Sequence, residues 1–238
     1  VYGQLIAKDK PSAKVGILYQ NDDYGKDYLR GLKAGLGGKA MTAEITYEQS
    51  DPTLDSQVLA LRAAGVDVVV LAAYSKQVSQ SMRKMTELGW KPQVWISHVS
   101  AQVHPTLALV GLENTIGVMT AAVVKDPSDP TWHNDADYKA WLAWMNKYQP
   151  KGDLANSAHA SVYAYSAAMA QVLKAAGDDL SRENILKQMI SLKEFAAPML
   201  LPGITMSMSA DNYNMFRKIQ IMRFDGKRWV PQGKPVGE

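Results

Sequence analysis

The chain has 238 residues, of which 47% are hydrophobic, 21% are charged and 8% are aromatic. This composition is typical of a folded globular protein and excludes disordered, collagen-like and coiled-coil classes. Lysine and arginine total 26 against 23 acidic residues and are scattered along the chain, so nucleic acid is not an expected partner. Because cysteine is absent, disulfides, thiolate metal sites and thiol nucleophiles are excluded.

Residues 13–96 alternate between strand-like and helix-like apolar patterns. The predicted strands are residues 15–19, 42–47, 66–72 and 94–96. The helices between them are predicted to follow Asn21-Asp-Asp23, to open at Asp51-Pro52, and to span residues 76–88. Glycines end each helix. Alternation at this spacing predicts an α/β fold, a doubly wound parallel sheet with helices on both faces.

The pattern changes after residue 111. Residues 115–124 are strand-like, and the two prolines of residues 125–130 predict a boundary. Three helices are then predicted, at residues 135–148, 156–176 and 182–190. The tail is predicted to form a hairpin, with strands at residues 213–224 and 228–230 around the turn at Asp225-Gly226.

The three late helices have wide apolar faces. The longest has Val162, Met169, Val172 and Leu173 on one face, yet no strand is predicted between residues 126 and 200 to receive it. These helices therefore need a partner that the chain does not supply. The chain also begins Val-Tyr-Gly-Gln, without an initiator methionine or a signal sequence, so we expect a processed or trimmed product.

Several motifs that resemble cofactor or metal sites are better explained as helix ends, helix caps or isolated residues. The glycines of residues 35–38 follow a helix, so they predict a helix end and not a phosphate loop. No Gly-x-Gly-x-x-Gly follows the first strand, which argues against dinucleotide binding. The four histidines lack metal-site spacing, so no metal or cofactor is expected. Asp22 and Asp23 precede a helix and are expected to cap it.

One group of residues does indicate a site. Ligands of open α/β sheets bind outside the carboxyl ends of the strands. In this chain those ends carry Tyr24, Tyr74, Ser75, Ser97 and His98. Two aromatic rings, two hydroxyls and an imidazole could stack on a small organic molecule and hydrogen-bond to it.

Four segments of the chain resemble the periplasmic leucine/isoleucine/valine-binding family, the type I solute-binding proteins of ABC importers. They are Val15-Gly-Ile-Leu-Tyr-Gln-Asn-Asp-Asp-Tyr-Gly25, Ala64-Gly-Val-Asp-Val-Val-Val-Leu71, Lys174-Ala-Ala-Gly-Asp-Asp-Leu-Ser-Arg-Glu-Asn184, and the ending Leu201-Pro-Gly-Ile204 with Arg223-Phe-Asp-Gly226. The resemblance covers essentially the whole chain. It implies two doubly wound lobes that close on a ligand.

The resemblance also implies how the chain divides. Residues 13–118 and 218–230 would form the second ligand-binding lobe, and residues 119–215 would form the C-terminal part of the first lobe. The strands of the first lobe normally precede everything in this sequence. We therefore expect a fragment that lacks about a hundred N-terminal residues and self-associates through its exposed helices.

Candidate site residues are carried over from the family one at a time. Tyr24 and Tyr74 match tyrosines that follow the first and third strands of this lobe. At His98 the amino-acid binders have an acidic residue that pairs with the ligand ammonium, so the histidine favours an organic or aromatic acid over an α-amino acid. Ala158 replaces an aromatic residue of some relatives, and the neighbouring His159 is a further candidate ligand residue.

The resemblance implies a non-catalytic, periplasmic receptor that feeds a small organic solute to the membrane permease of an ABC importer. Two alternatives remain open from the residues. One is a sensor or repressor effector domain of the same fold, although no basic DNA-reading helix pair is visible. The other is a flavodoxin-like small-molecule enzyme, which turnover or bound flavin would reveal.

Overall fold

The computed structural model describes residues 1–237, and the chain folds into two compact units. The first unit comprises residues 1–121 and 222–231, and the second comprises residues 122–221 and everything described from residue 232 on. The helices are α1 (Tyr2–Asp9), α2 (Asp23–Gly35), α3 (Asp55–Ala63), α4 (Ser75–Glu87), α5 (Ala136–Tyr148), α6 (Ser157–Ala176) and α7 (Arg182–Ile190). The strands are β1 (Val15–Gln20), β2 (Ala43–Tyr47), β3 (Val68–Ala72), β4 (Gln93–Ile96), β5 (Met119–Ala122), β6 (Lys218–Phe224), β7 (Trp229–Pro231) and β8 (Val236–Gly237).

The sheet order is β2-β1-β3-β4-β5-β6-β7, and β1 to β5 are mutually parallel. One row of the register pairs Ile45 with Leu18, Leu18 with Leu71, and Leu71 with Ile96. Every residue of β3 is buried, as expected for a central parallel strand that is covered on both faces. The predicted doubly wound α/β architecture is thus confirmed.

Helix α1 was not predicted from the sequence. It packs on α2 through two glycines: a Cβ atom on Gly3 would lie 2.5 Å from the carbonyl oxygen of Leu32, and one on Gly35 would lie 3.0 Å from the Cα of Gly3. The hydroxyl of Tyr2 donates to the carbonyl of Ile96 and accepts from the amide of Ala121. Gly35 is the last residue of α2, two residues before the glycine pair 37–38 that was predicted to end the helix, and it allows the close approach of α1 and α2.

Three predicted boundaries were wrong, and one of them is the tail strand predicted over residues 213–224, which begins at Lys218. Helix α3 begins at Asp55 and not at Asp51-Pro52, because the Asp51 carboxylate accepts hydrogen bonds from the Glu48 amide and the Gln57 side chain and holds a turn there. The strand predicted over residues 115–124 is limited to β5. A short 3-10 helix precedes it, and Gly117 has a φ of +92°, a conformation that interrupts an extended strand.

In the second unit, α5 and α6 pack around a buried cluster of Tyr138, Trp141, Met145, Ala160 and Met199. The residues that α6 buries are small ones and one valine: Ala160, Ala164, Ala168, Val172 and Ala176. Of the apolar residues predicted to share one face of this helix, Val172 is buried, whereas Val162 is 60% exposed and Met169 and Leu173 are exposed too, as expected for a face that the chain does not cover.

Candidate functional site

The candidate site lies in the first unit, at the carboxyl ends of the parallel strands. The chain leaves β1 toward β2 on one side, whereas β3 lies on the other side of β1. Such a reversal opens a crevice between the loops that follow the two strands, and ligands of open α/β sheets bind there. Tyr24 follows β1 and Tyr74 follows β3 at this point.

The loop after β1 sets the position of Tyr24. The Asp22 carboxylate accepts a hydrogen bond of 2.9 Å from the Gly25 amide and caps α2. A Cβ atom on Gly25 would lie 2.0 Å from the carbonyl oxygen of Gln20, so only glycine lets the helix start this close to the strand end. The expected capping role of Asp22 is confirmed, and the first turn of α2 is held at the crevice.

Four tyrosines gather at this edge, and we call Tyr24, Tyr28, Tyr47 and Tyr74 the tyrosine cluster. Tyr24 stacks on Tyr74 with 5.2 Å between ring centroids and 25° between ring planes. It meets Tyr28 edge to face at 5.3 Å. Tyr47 ends β2 and donates a hydrogen bond of 3.1 Å from its hydroxyl to the side-chain oxygen of Gln20.

Serine hydroxyls lie beside the rings. The Ser97 side chain follows β4, is fully buried, and shares a hydrogen bond of 2.9 Å with the Tyr28 hydroxyl. Within residues 1–237 the buried hydroxyl of Tyr24 makes no hydrogen bond of ordinary geometry. Ser75 begins α4 and donates to the side-chain oxygen of Gln102 at 3.2 Å. The Tyr24 hydroxyl is thus buried beside the Ser97 side chain and, among the described residues, makes no hydrogen bond of ordinary geometry.

Tyr24, Tyr28 and Tyr47 are neutral hydrogen-bond donors at physiological pH. Burial, assisted by the nearby Asp22 carboxylate, raises the pKa of Tyr47 to about 12. Burial also raises the pKa of Tyr24 and Tyr28, while the Ser97 side chain acts against this rise. Phenols with raised pKa values can donate to a carboxylate without losing their own protons.

His98 follows Ser97 directly and starts a short 3-10 helix. Its side chain is partly buried, and this burial lowers the pKa of His98. The backbone of His98 interacts with the Tyr28 phenol, so this residue lies at the same edge as the tyrosine cluster. A histidine with a lowered pKa is neutral at physiological pH and can accept or donate one hydrogen bond.

Five of the six candidate residues from the sequence, Tyr24, Tyr74, Ser75, Ser97 and His98, therefore lie on the loops and helix starts that follow β1, β3 and β4 in the first unit. His159 belongs to the second unit and lines a groove of about 470 Å³ with Trp144, Tyr163 and Ser166. Tyr74 is 45% exposed, so its ring offers an accessible platform at the first unit's edge.

Sequence reasoning missed Tyr28 and Tyr47. The apolar pattern of α2 places Tyr28 among the inward residues, but Tyr28 is four residues after Tyr24 and so lies on the same helix face. Tyr47 is the last residue of β2, the neighbour of β1, and the rule that selected the other strand ends could have selected it too. Both signals were present in the sequence.

The structure of residues 1–237 also bears on metal sites and on membrane-spanning helices. No group of three or more His, Asp or Glu side chains in this range is arranged to hold a metal ion. Within the same range, none of the helices combines the length and the apolar character that crossing a membrane requires.

Curated relatives match part of this chain. Leu/Ile/Val-binding protein homolog 8 of Brucella abortus (strain 2308) is 28% identical over 119 residues, which are 49% of this chain and 30% of that protein. Leu/Ile/Val-binding protein homolog 7 of Brucella suis biovar 1 (strain 1330) is 26% identical over 109 residues, 44% of this chain and 27% of that protein. The matched segments are thus about a third or less of these relatives.

Solved structures share the fold over nearly the whole chain. A branched-chain amino acid ABC transporter protein of Thermus thermophilus, solved with bound valine, superposes with a TM-score of 0.83 at 16% identity and covers 98% of this chain and 63% of its own. A fatty acid ABC transporter substrate-binding protein of Thermomonospora curvata gives a TM-score of 0.79 at 21% identity. The superposition covers 100% of this chain and 61% of that protein. This chain thus spans less than two thirds of either neighbour.

A model of the periplasmic binding protein family matches residues 1–228. This match includes the doubly wound first unit, the tyrosine cluster and most of the second unit. The chain belongs to the periplasmic binding protein family.

Proposed function

We propose that this chain is the ligand-binding part of a periplasmic receptor that delivers a small organic solute to an ABC importer and catalyses no reaction. Family membership supports this proposal, as do the names of the structural neighbours, which are ABC transporter proteins. In such a receptor, ligand contacts made only in the closed state shift the protein toward closure.

The observation that carries the proposal is the tyrosine cluster at the crevice of the sheet. Tyr24 and Tyr74 form a stacked pair, and Tyr74 is exposed enough for a flat ligand to pack on it. The hydroxyl of Tyr24 lies buried beside that platform, close to the Ser97 side chain, and makes no hydrogen bond of ordinary geometry with the rest of the described chain. Aromatic rings combined with a few oriented polar groups are typical of small-molecule sites.

An aromatic or other organic acid suits this edge better than a branched-chain amino acid. A carboxylate can accept from tyrosine hydroxyls, whereas the ammonium of an amino acid needs an acidic partner. His98 supplies no negative charge, and the nearby Asp22 is already committed to the Gly25 amide and the Gln20 side chain. Both ligand classes occur among the structural neighbours, one named for valine and one for fatty acids.

For the organisation of the chain, we propose that residues 13–118 and 218–230 form the second lobe of the receptor and that residues 119–215 contribute to the first lobe. The division into compact units at residues 121 and 222 supports this assignment. His159 would then belong to the first lobe, and the other five candidate residues would belong to the second lobe.

The proposed partners are the ligand, the membrane permease of the importer and a second copy of this chain. Self-association is proposed because α6 exposes Val162, Met169 and Leu173, and a second copy of the chain could cover these apolar side chains. We expect sedimentation velocity to show a larger particle as the protein concentration rises. Leu173→Glu should keep the particle monomeric, since a charge on this face opposes its burial.

The ligand proposal is tested by thermal-shift and calorimetric titration of the 238-residue chain with aromatic acids, aliphatic acids and branched-chain amino acids. We expect aromatic acids to raise the melting temperature most. Tyr74→Ala should weaken this binding about tenfold, because the stacking platform is lost. Tyr213→Ala is the matched control, since it removes an exposed tyrosine of the second unit.

A second variant tests the role of the histidine. His98→Asp restores an acidic side chain where amino-acid binders have one and should shift the preference toward valine and leucine. If amino acids alone stabilise the unmodified chain, the proposed ligand class is wrong. If Tyr213→Ala weakens binding as much as Tyr74→Ala does, the tyrosine cluster is not the site.

A further inference from the structure

A second concave surface of the first unit lies at the amino ends of its strands. This groove has a volume of about 480 Å³ and is lined by the start of β4, the residues just before β5 and the last turn of α4. We call it the basal groove and define it by Lys10, Trp90, Lys91, Ile116, Gly117 and Arg223. The tyrosine cluster lies at the carboxyl ends of the same parallel strands, so the two sites do not share residues.

The basal groove is positively charged. Lys10, Lys91 and Arg223 line it, and within residues 1–237 none of them forms an ion pair. Glu113 is the acidic residue on the lining, and its carboxylate accepts a hydrogen bond of 3.1 Å from the Asn114 side chain. Three cations facing one acid leave a net positive surface that attracts an anion.

The groove also has apolar walls. Met82 and Met85 of α4 form buried parts of the lining, and Ile116 is 59% exposed. Trp90 is held at the end of α4, where Gly89 turns the chain with a φ of +60° and the Trp90 amide donates to the Met85 carbonyl at 2.9 Å. An indole and an exposed isoleucine beside cations suit a ligand with a flat apolar body.

An anion in the basal groove would have to be bound by side chains and not by backbone amides. The amides of Gly117 and Val118 already donate to the carbonyls of Phe224 and Thr115. The C-terminal end of α4 also carries partial negative charge, which works against an anion. The guanidinium of Arg223 lies over Gly117, with Nη2 3.6 Å from the position of a Cβ atom there. Because this glycine has no side chain, the space beside the guanidinium stays open.

We propose that the basal groove binds a small organic anion with a flat apolar body, such as an aromatic carboxylate or sulfonate, independently of the tyrosine cluster. Its volume falls within the range of about 300–1,000 Å³ that is typical of small-molecule sites. Arg223 supplies a planar donor pair that matches a carboxylate, and Trp90 supplies the apolar contact. The function of the tyrosine cluster does not enter this inference.

The test is a titration of the 238-residue chain with naphthoate, followed by two-dimensional NMR of the tryptophan indole N–H groups. The six tryptophans give separate local reporters, and Trp90→Phe assigns the resonance of the groove. We expect the Trp90 resonance to shift in a saturable way with naphthoate, and to shift much less with the neutral amide of the same ring. Added salt should weaken the effect.

Two charge variants complete the test. Arg223→Gln should weaken naphthoate binding at Trp90 about tenfold, because a charged hydrogen bond is lost. Lys227→Gln removes the same charge from an exposed residue outside the groove and should leave the titration unchanged. The proposal is overturned if the Trp90 resonance does not move, if the amide moves it equally, or if the two charge variants behave alike.

Discussion

Helix α4 of the first compact unit and helix α6 of the second are buried by different means. In the first unit, α4 packs large side chains such as Val78, Met82 and Met85 inward, and the fully buried strand β3 lies at the centre of the sheet. In the second unit, α6 buries mostly alanines and leaves Val162 and Leu173 exposed. A parallel sheet accepts large residues on both faces. Close helix packing favours small residues, which bring the backbones together.

This difference bears on function. The first unit has a core built on a central sheet, and such a scaffold can hold the rings of Tyr24 and Tyr74 in a fixed stack. The second unit has exposed apolar side chains on α6, and α7 buries none of its residues. Four measurements can test how far this contrast between the units extends.

The largest effect on stability is expected when a buried leucine of the first unit and an exposed leucine of the second unit are each replaced by alanine. Leu71 in β3 is 0% exposed, and Leu71→Ala should lower the free energy of unfolding by about 2–5 kcal/mol through lost burial and a cavity. Leu173 in α6 is 43% exposed, and Leu173→Ala should cost less than about 0.5 kcal/mol. Urea unfolding of both variants measures the difference. Equal losses would mean that the α6 face is buried in solution.

A smaller effect should follow from enlarging the alanines of α6. Ala168→Leu places a larger side chain into the buried stripe and should destabilise the protein by about 1–3 kcal/mol. Ala175→Leu alters an exposed position of the same helix and should be nearly neutral. Thermal unfolding followed by circular dichroism compares them. A neutral Ala168→Leu would contradict the close packing of this stripe.

The acid stability of the second unit depends on a buried lysine. Lys125 pairs with Asp135 at 2.9 Å and with Asp137 at 3.1 Å, and the hydrogen bond from Lys125 lowers the pKa of Asp135 below its ordinary value. A lowered carboxyl pKa in the folded state stabilises the protein above the unfolded pKa. This contribution is lost as the pH falls through the folded pKa.

We therefore expect the free energy of unfolding to fall by about 1 kcal/mol from this pair on strong acidification. Asp135→Asn keeps a side chain that can cap α5 but removes the charge, so it should flatten this part of the pH profile. Urea unfolding at neutral and acidic pH measures the change. An unaltered profile in the variant would show that other carboxylates dominate.

The smallest expected effect concerns the two histidine candidates. Burial lowers the pKa of His98, so binding an anion there should draw a proton onto the imidazole. Affinity for an aromatic acid should then rise a few-fold as the pH falls from neutral toward mildly acidic. Calorimetry in buffers of different ionisation enthalpy measures the proton uptake. His98→Gln should abolish the pH dependence, and His159→Gln should preserve it if the first unit carries the anion.

Much of the first unit was predictable from the sequence. Strands such as β3 are short apolar runs, and glycines such as Gly65 and Gly89 end the helices with positive φ angles. The apolar period of each element and the residue at which each helix ends could therefore be read from the sequence. Helix α1 was missed because its packing on α2 depends on Gly3 and Gly35, which are far apart in sequence. The start of α3 was misplaced because a carboxylate turn at Asp51 competed with the helix.

The candidate site was only partly predictable. The rule that ligands bind at strand ends selected Tyr24, Tyr74 and His98, and it could also have selected Tyr47. It could not select Tyr28, which does not stand at a strand end and could be found only from its spacing of four residues from Tyr24. The hydrogen bond between Tyr28 and Ser97 joins residues 69 positions apart. The alanine stripe that α6 buries was not predicted, because periodicity identifies apolar residues and does not say whether small or large ones pack inward.

The sequence by itself determined the alternation of strands and helices, the family and the strand ends where chemistry could occur, because periodicity, glycine breaks and motifs are local properties of the chain. The tertiary structure alone decided that Tyr24 stacks on Tyr74 and that alanines form the buried stripe of α6. These outcomes depend on distances between segments that are remote in sequence, and packing sets those distances.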